Sequence, residues 1–247
     1  MKFKKEIYLK NYTTIKVGGI TEYFYEPKEL SEFVYLINWA KSNDQSCRII
    51  GAGSNLLIKD DYLKGLTICT KKMKSITINQ STGYVYAECG VMLPTLANLL
   101  AKNCCKGGEW TIGIPGTIGG ALFMNAGCGN DSISQNLLSV QSMNLETLEI
   151  NEIRKEDLCF KYRFSPFQEN NSIILSAKFN FESEGDMRSI IKQTKTNLKK
   201  RLLRQPYHLP SFGSVFKNPE NNYAGKLIEE SGLKGIRIGG AEISQMH

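Results

Sequence analysis

Two glycine-dense stretches constrain this chain more than any other feature: Gly51-Ala52-Gly53-Ser54-Asn55, with Leu56 next, and the longer run from Gly113 to Gly127. Where no side chains intervene, backbone amides crowd together and an anionic oxygen can collect several N–H bonds at once. The first stretch follows the β-prone Arg48-Ile49-Ile50 and precedes Leu56-Leu57-Ile58, which predicts a strand, a tight loop and a second strand. Spacing excludes two familiar phosphate loops. No third glycine opens a helix as a dinucleotide fingerprint requires, and no Gly-Lys-Ser/Thr completes a P-loop. Alone, this loop reads equally well as a plain turn or a phosphate cradle.

The second stretch, Gly113-Ile114-Pro115-Gly116-Thr117-Ile118-Gly119-Gly120-Ala121, sets glycine in apolar surroundings. Gly116 and Thr117 are expected to start a helix, with Gly119 and Gly120 leaving it bare for a flat neighbour. Asn125-Ala126-Gly127 adds an amide and another bare backbone. Glycines that merely permit close helix packing are the competing explanation. Two such loops in one chain weigh against it and together suit a diphosphate and a flat ring.

Around these loops the pattern alternates between strand and helix. Leu30, Phe33, Val34, Ile37 and Ala40 recur at helical spacing from Pro27 onward, with Glu29 and Glu32 in the first turn. Strands are predicted at 66–70, 75–78, 84–89, 138–145 and 173–181, and a helix from Pro94 to Lys102. Asp186 is placed to cap a helix through Leu203 that turns Met187, Ile190, Ile191 and Leu198 to one side, and a second helix spans Tyr223 to Ser231 before Gly232. The alternation predicts an α+β or α/β architecture.

Composition removes several classes of function. The 247 residues include seven scattered cysteines with no C-x-x-C pair and only two histidines, His208 and His247, so neither a zinc site, a disulfide framework nor a Ser-His-Asp hydrolase is favoured; no metal is expected. The net charge of +7 is spread over short clusters, without a zinc finger or RNA-binding signature, and points to a small anionic ligand and not to nucleic acid. Met1 to Lys10 carries lysines and no apolar run, so no signal peptide or membrane anchor is expected and the protein is placed in the cytoplasm.

The run Gly51 to Leu57, the run Gly113 to Gly127, Tyr162-Arg163-Phe164-Ser165, and Pro210-Ser211-Phe212-Gly213-Ser214-Val215-Phe216-Lys217-Asn218-Pro219 together resemble the UDP-N-acetylenolpyruvoylglucosamine reductase family. Thr13-Thr14-Ile15-Lys16-Val17-Gly18-Gly19, Gly232-Leu233-Lys234-Gly235 and Gly239-Gly240-Ala241 agree in order. Each motif is weak alone; the combination is specific and covers nearly the whole chain. The resemblance implies an α+β, PCMH-type (vanillyl-alcohol-oxidase-like) FAD fold of two subdomains, 1–70 and 71–184, with a substrate domain from 185 to 247. The short distance from Phe167 to Ile173 matches the subtype that lacks an inserted tyrosine-bearing loop.

The reaction so implied uses FAD and NADPH: NADPH reduces the flavin, and the flavin reduces an enolpyruvyl ether on a UDP-sugar to a lactyl ether, giving UDP-N-acetylmuramate for peptidoglycan. Hydride addition to the terminal carbon pushes negative charge onto the substrate carboxylate. By resemblance, Arg163 clamps that carboxylate with its rigid fork, a role a lysine fills less well. Ser214 is the matched proton donor, with Tyr162, Lys217, Asn218 and Arg204 as substrate-binding residues. Gly51, Ala52, Gly53, Ser54, Asn55, Leu56, Gly113, Ile114, Pro115, Gly116, Thr117, Gly119, Gly120, Asn125, Ala126 and Gly127 are the expected FAD-binding residues. Lys200 and Arg201, with Arg204, are a weaker expectation for the UDP diphosphate. A surface ion pair for Arg163 and a simple turn role for Ser214 are the alternatives.

In the family the chain runs on beyond the position of Met246-His247 and supplies a glutamate there; the sequence is therefore expected to be truncated, with exposed apolar surface. Glu242 stands in a different motif. An alcohol or sugar oxidase on the same flavin fold, or a flavin-binding remnant without turnover, are the other functional readings, and a monomer is expected.

Overall fold

The computed structural model describes residues 2–247. Its first sheet has four strands, β1 (Lys4–Tyr8), β2 (Ile20–Tyr25), β3 (Cys47–Ile50) and β4 (Tyr62–Cys69), in the order β1-β2-β4-β3. The β1–β2 pair is antiparallel, and β4 lies parallel to both β2 and β3. Strands running the same way require a crossover, and α1 (Leu30–Ser42) supplies it between β2 and β3, which flank β4. As the spacing predicts, α1 buries Phe33, Ile37 and Ala40 against the sheet; it also buries Leu36, while Leu30 and Val34 are half-buried.

The second sheet is antiparallel, in the order β10-β9-β11-β6-β5, from β5 (Ile76–Ile78), β6 (Tyr84–Glu88), β9 (Leu137–Asn144), β10 (Ile150–Arg154) and β11 (Ser172–Asn180). The chain between β6 and β9 supplies α2 (Leu93–Lys102), the short α3 (Ile118–Phe123) and a two-strand ribbon, β7 (Gly127–Cys128) with β8 (Asp131–Ser132). One apolar core joins both sheets. It links Phe33, Leu36, Leu66 and Ile68 on the first side to Val85, Ala87, Val140 and Phe179 on the second. The two glycine-rich loops are therefore carried by halves that pack as one body. With one sheet mixed and the other antiparallel, the class is α+β.

The remainder begins at α4 (Met187–Leu202), capped by Asp186, whose carboxylate accepts from the backbone N–H of Ser189 at 2.9 Å. It continues through α5 (Ala224–Glu230) to a hairpin of β12 (Arg237–Ile238) and β13 (Ala241–Glu242). Gly232 ends the second of these helices at φ +68°, as anticipated. No residue from Gln205 to His247 is fully buried, and Val215, Phe216, Tyr223 and Ile238 stand exposed.

Two expectations need correction, and one pair of strands was missed. Residues 56–58 form no strand, and Leu57 is 71% exposed. The backbone that follows is committed elsewhere: the Lys59 and Asp61 carbonyls accept from Gly19 and Ile20, and Asp60 accepts from the Gly18 N–H. On α4 only Ile190 and Thr194 are fully buried, while Met187 is exposed and Ile191 and Leu198 half-buried. Strands β1 and β2 were not anticipated. Neither alternates: Lys-Lys-Glu-Ile-Tyr is exposed except at Ile7, and Ile-Thr-Glu-Tyr-Phe-Tyr buries Thr21 and Phe24, three residues apart across a register shift.

Candidate functional site

The two glycine-rich loops meet. A methyl group placed on Gly51 would lie inside the van der Waals surface of Thr117 Oγ1 and 3.5 Å from its Cβ, so only a bare backbone fits there. A Cβ on Gly116 would come within 3.9 Å of Ser54 Oγ. Gly53 has φ +65° and abuts the Tyr12 carbonyl, with its own carbonyl accepting from Thr14 N–H at 3.1 Å. The first loop is thus wedged between the Tyr12–Thr14 segment and the start of α3. Ala52 and Ser54 are half-buried, whereas Asn55 and Leu56 face outward.

Thr117 caps α3 by accepting from Gly120 N–H at 3.3 Å, matching the predicted helix start. Its two glycines have different surroundings. A Cβ on Gly119 would come within 2.9 Å of Cys89 Cβ, so this glycine serves close packing on the end of β6. Burial pushes the Cys89 thiol up to about 12, which leaves it an inert packing group. Gly120 is exposed; a methyl group there would meet only the oxygen of its own cap, at 3.5 Å, so this glycine leaves the open face of the helix. Upstream, Gly113 is held from outside: its carbonyl accepts from Tyr207 Oη, which accepts in turn from Arg201 Nε at 2.6 Å. Ile114 is half-buried and Pro115 exposed between these fixed points.

At the far end of the second stretch, Asn125 is buried with φ +41°, and its Nδ2 donates to the Lys161 carbonyl at 2.8 Å. Lys161 and Phe164 exchange both backbone hydrogen bonds, so Tyr162 and Arg163 form the tip of a tight turn, with Arg163 at φ +53°. The guanidinium stacks on Tyr162, 5.0 Å from the ring centre, and donates to the Gly127 carbonyl at 3.0 Å and the Asn125 carbonyl at 3.4 Å. It makes no ion pair among the described residues, which sets aside the surface-pair alternative. Ala126 N–H is spent on the Ala121 carbonyl.

The segment carrying Ser214 is tied down on both sides of that residue. Ser211 N–H donates to the Thr14 carbonyl at 3.2 Å, beside the first loop; Asn218 N–H donates to Tyr162 Oη at 3.4 Å, beside Arg163. Between these ties Ser214 and Lys217 are exposed, after Gly213 at φ +75°. Asn218 Oδ1 accepts from Ala224 N–H at the start of α5. Arg204 is exposed past the end of α4, apart from these contacts. The structure therefore brings together both glycine loops, Tyr162, Arg163 and the Ser214–Asn218 segment. Sequence reasoning missed Tyr207 and named Arg201 only for the UDP diphosphate, because their tie to Gly113 spans too much chain for a local motif to reveal, and it drew no role from Thr14.

FAD fits what the chain offers. Among the described residues, two buried side-chain polar atoms lack any partner, Thr14 Oγ1 and Asn125 Oδ1, and each adjoins one of the glycine loops. Such orphans are rare in native proteins and call for an absent ligand atom. No group of three or more His, Cys, Asp or Glu among these residues is placed to hold a metal ion, and no described helix is long and apolar enough to cross a membrane.

A mixed sheet and an antiparallel sheet sharing one core, with bare loops opposed across their junction, define a flavoprotein of the PCMH-type FAD-binding class. An FAD-binding domain family matches residues 21–147, and the C-terminal domain family of UDP-N-acetylenolpyruvoylglucosamine reductase matches 205–247. The chain is 63% identical over 245 residues to the UDP-N-acetylenolpyruvoylglucosamine reductase of Prochlorococcus marinus subsp. pastoris, covering 99% of this chain and 83% of that one. A second P. marinus reductase is 46% identical over 247 residues, 100% and 84% of the two chains. The crystal structure of the Thermus caldophilus UDP-N-acetylenolpyruvylglucosamine reductase superposes with a TM-score of 0.82 at 28% identity, over 100% of this chain and 86% of that one. Alkyldihydroxyacetonephosphate synthase shares the fold alone, with a TM-score of 0.51 at 15% identity over 68% of this chain and 33% of the other. This chain belongs to the UDP-N-acetylenolpyruvoylglucosamine reductase family.

Proposed function

We propose that the chain is the FAD-dependent, NADPH-oxidising reductase that converts UDP-N-acetylglucosamine enolpyruvate to UDP-N-acetylmuramate for peptidoglycan, acting as a cytoplasmic monomer. The observation that supports this reading is the pair of ties from Ser211 to Thr14, beside the first glycine loop, and from Asn218 to Tyr162, beside Arg163, on either side of Ser214 in the chain. Residues 1–70 and 71–184 are the flavin-binding halves in this reading, and 185–247 is the substrate region.

Bound FAD supplies hydride transfer. The protein supplies placement and charge. Arg163 spends two N–H groups on the Asn125 and Gly127 carbonyls, which fixes its plane and leaves the rest of its five donors for a carboxylate. Because the guanidinium is preset, it gains strength as negative charge grows on that carboxylate, without reorganising. The Ser214 hydroxyl delivers the proton that completes the lactyl ether, its acidity coming from position in a site closed by substrate. Lys217 and Arg204, exposed and free of ion pairs among the described residues, are available to the UDP diphosphate, while Asn218 orders the segment through α5.

The test is stopped-flow and steady-state NADPH oxidation by FAD-loaded protein with and without the enolpyruvyl sugar nucleotide. Oxidation that depends on the sugar nucleotide, with kcat falling about 10²-fold or more in Ser214→Ala while flavin reduction by NADPH is retained, supports the reading. Equal turnover without the sugar nucleotide refutes it.

A further inference from the structure

We propose that Thr14 is a further FAD ligand, its hydroxyl donating to a diphosphate oxygen of the cofactor; this rests on the flavin reading above. Nothing in the motifs assigns it a role, and the case is one of accounting. Thr14 spends its backbone N–H on the Gly53 carbonyl at 3.1 Å, and its carbonyl accepts from Ser211 N–H at 3.2 Å. Its neighbour Thr13 is satisfied internally, the hydroxyl donating to the Val17 carbonyl at 2.8 Å. Only the Thr14 hydroxyl is left, shut away from water and without a partner. A hydroxyl is easily satisfied by a small rotation, so one that stays orphaned beside a bare loop needs a ligand acceptor.

The second orphan indicates which part of the cofactor lies where. Asn125 Nδ2 faces the Lys161 carbonyl, which can only accept, so the amide cannot turn over and Oδ1 must itself accept. An acceptor repels a phosphate oxygen and suits a ribityl hydroxyl or a ring N–H. Thr14, by contrast, can donate, and its own backbone is bonded to the first glycine loop at Gly53. A charge-assisted bond to a diphosphate oxygen is the strongest use of that proton. The diphosphate therefore lies at Thr14 and the first loop, and the hydroxylated or ring portion at Asn125.

The experiment measures FAD affinity by quenching of flavin fluorescence, and the melting temperature of the apoprotein, for the parent, Thr14→Val and Thr14→Ser. Valine keeps the shape and removes the hydroxyl; serine keeps the hydroxyl. Expected are a rise in Kd for FAD of roughly tenfold or more in Thr14→Val, a value within about twofold of parent in Thr14→Ser, and an apoprotein melting temperature in Thr14→Val equal to or above the parent's. A hydroxyl serving only the fold gives the opposite sign, a lower apoprotein melting temperature with FAD affinity unchanged. Either that result or parental affinity in Thr14→Val overturns the assignment. If the parent itself takes up no FAD, the flavin reading falls and the assignment with it.

Discussion

Replacing Gly51 by alanine tests whether the glycine loops work as one site, because the clash is with the opposite loop and not with the residue's own backbone. Gly51 is not among the positive-φ glycines, so alanine meets no conformational penalty there. The added methyl lands inside Thr117 Oγ1, and two adjustments are open. Thr117 can rotate, forfeiting its bond from Gly120 N–H and hence the cap of α3, at about 0.5–2 kcal/mol. Alternatively the loops part, an overpacking cost of about 1–3 kcal/mol. Parting them also displaces the amides and Thr14, so the loss falls on the cofactor: a Kd for FAD raised about ten- to a hundredfold, since each 1.4 kcal/mol is about tenfold. The assay is flavin fluorescence titration over a double-mutant cycle with Thr117→Ala, using Thr117→Ser as the control that keeps the offending oxygen. Alanine at 117 removes both the oxygen and the cap. Its cost should therefore be smaller in the Gly51→Ala background, giving a coupling of about 1 kcal/mol or more. Strict additivity of the two substitutions, or relief by Thr117→Ser as complete as by Thr117→Ala, would refute the contact between the loops as the cause.

Arg163→Lys keeps the charge but cannot hold the Gly127 and Asn125 carbonyls while presenting a flat fork to a carboxylate, so kcat should fall about 10²–10³-fold, with flavin reduction by NADPH intact in stopped-flow traces; a kcat within threefold of parent would contradict the assigned role. For Glu26, burial raises the carboxyl, but hydrogen bonds from Lys4 and Lys72 outweigh it and leave the group below its usual 4.5. A depressed carboxyl stabilises the fold above its unfolded pKa and loses that contribution as pH falls through the folded value. Both lysine ends are well exposed, so the effect stays below about 1 kcal/mol at neutral pH. The gap in melting temperature between parent and Glu26→Gln should close as pH falls from neutral into the acid range beneath 4.5; a constant gap would contradict this.

Legibility in the sequence followed the length scale of the cause. The burial of Phe33, Ile37 and Ala40 on α1, the cap at Asp186 and the stop at Gly232 are written within one or two turns of chain, and all were readable. So was the density of glycine, though not the division of labour inside it. That Gly51 answers to Thr117 and Gly119 to Cys89 depends on which elements the two sheets bring face to face. The β1 and β2 strands escaped because neither has a period-two burial pattern: β1 is exposed except at Ile7, and a register shift sets the buried Thr21 and Phe24 of β2 three residues apart. Leu56-Leu57-Ile58 misled for the converse reason: apolar residues promised a ladder, but the backbone just beyond them is bonded to Gly18, Gly19 and Ile20. Tyr162, Arg163, Ser214 and Asn218 were named through resemblance, since no local rule reveals that residue 218 bonds to residue 162.

The way the C-terminal segment is held bears directly on how the site operates. From Gln205 to His247 no residue is fully buried, so among the described residues few buried contacts hold this segment. What fixes it are contacts with the flavin-binding halves: Tyr207 to Gly113, Ser211 to Thr14 and Asn218 to Tyr162. Each tie ends on a glycine loop, on the Thr14 segment bonded to one, or on the Arg163 turn. The segment thus takes its position from the cofactor-binding elements, and whatever steadies those elements steadies Ser214.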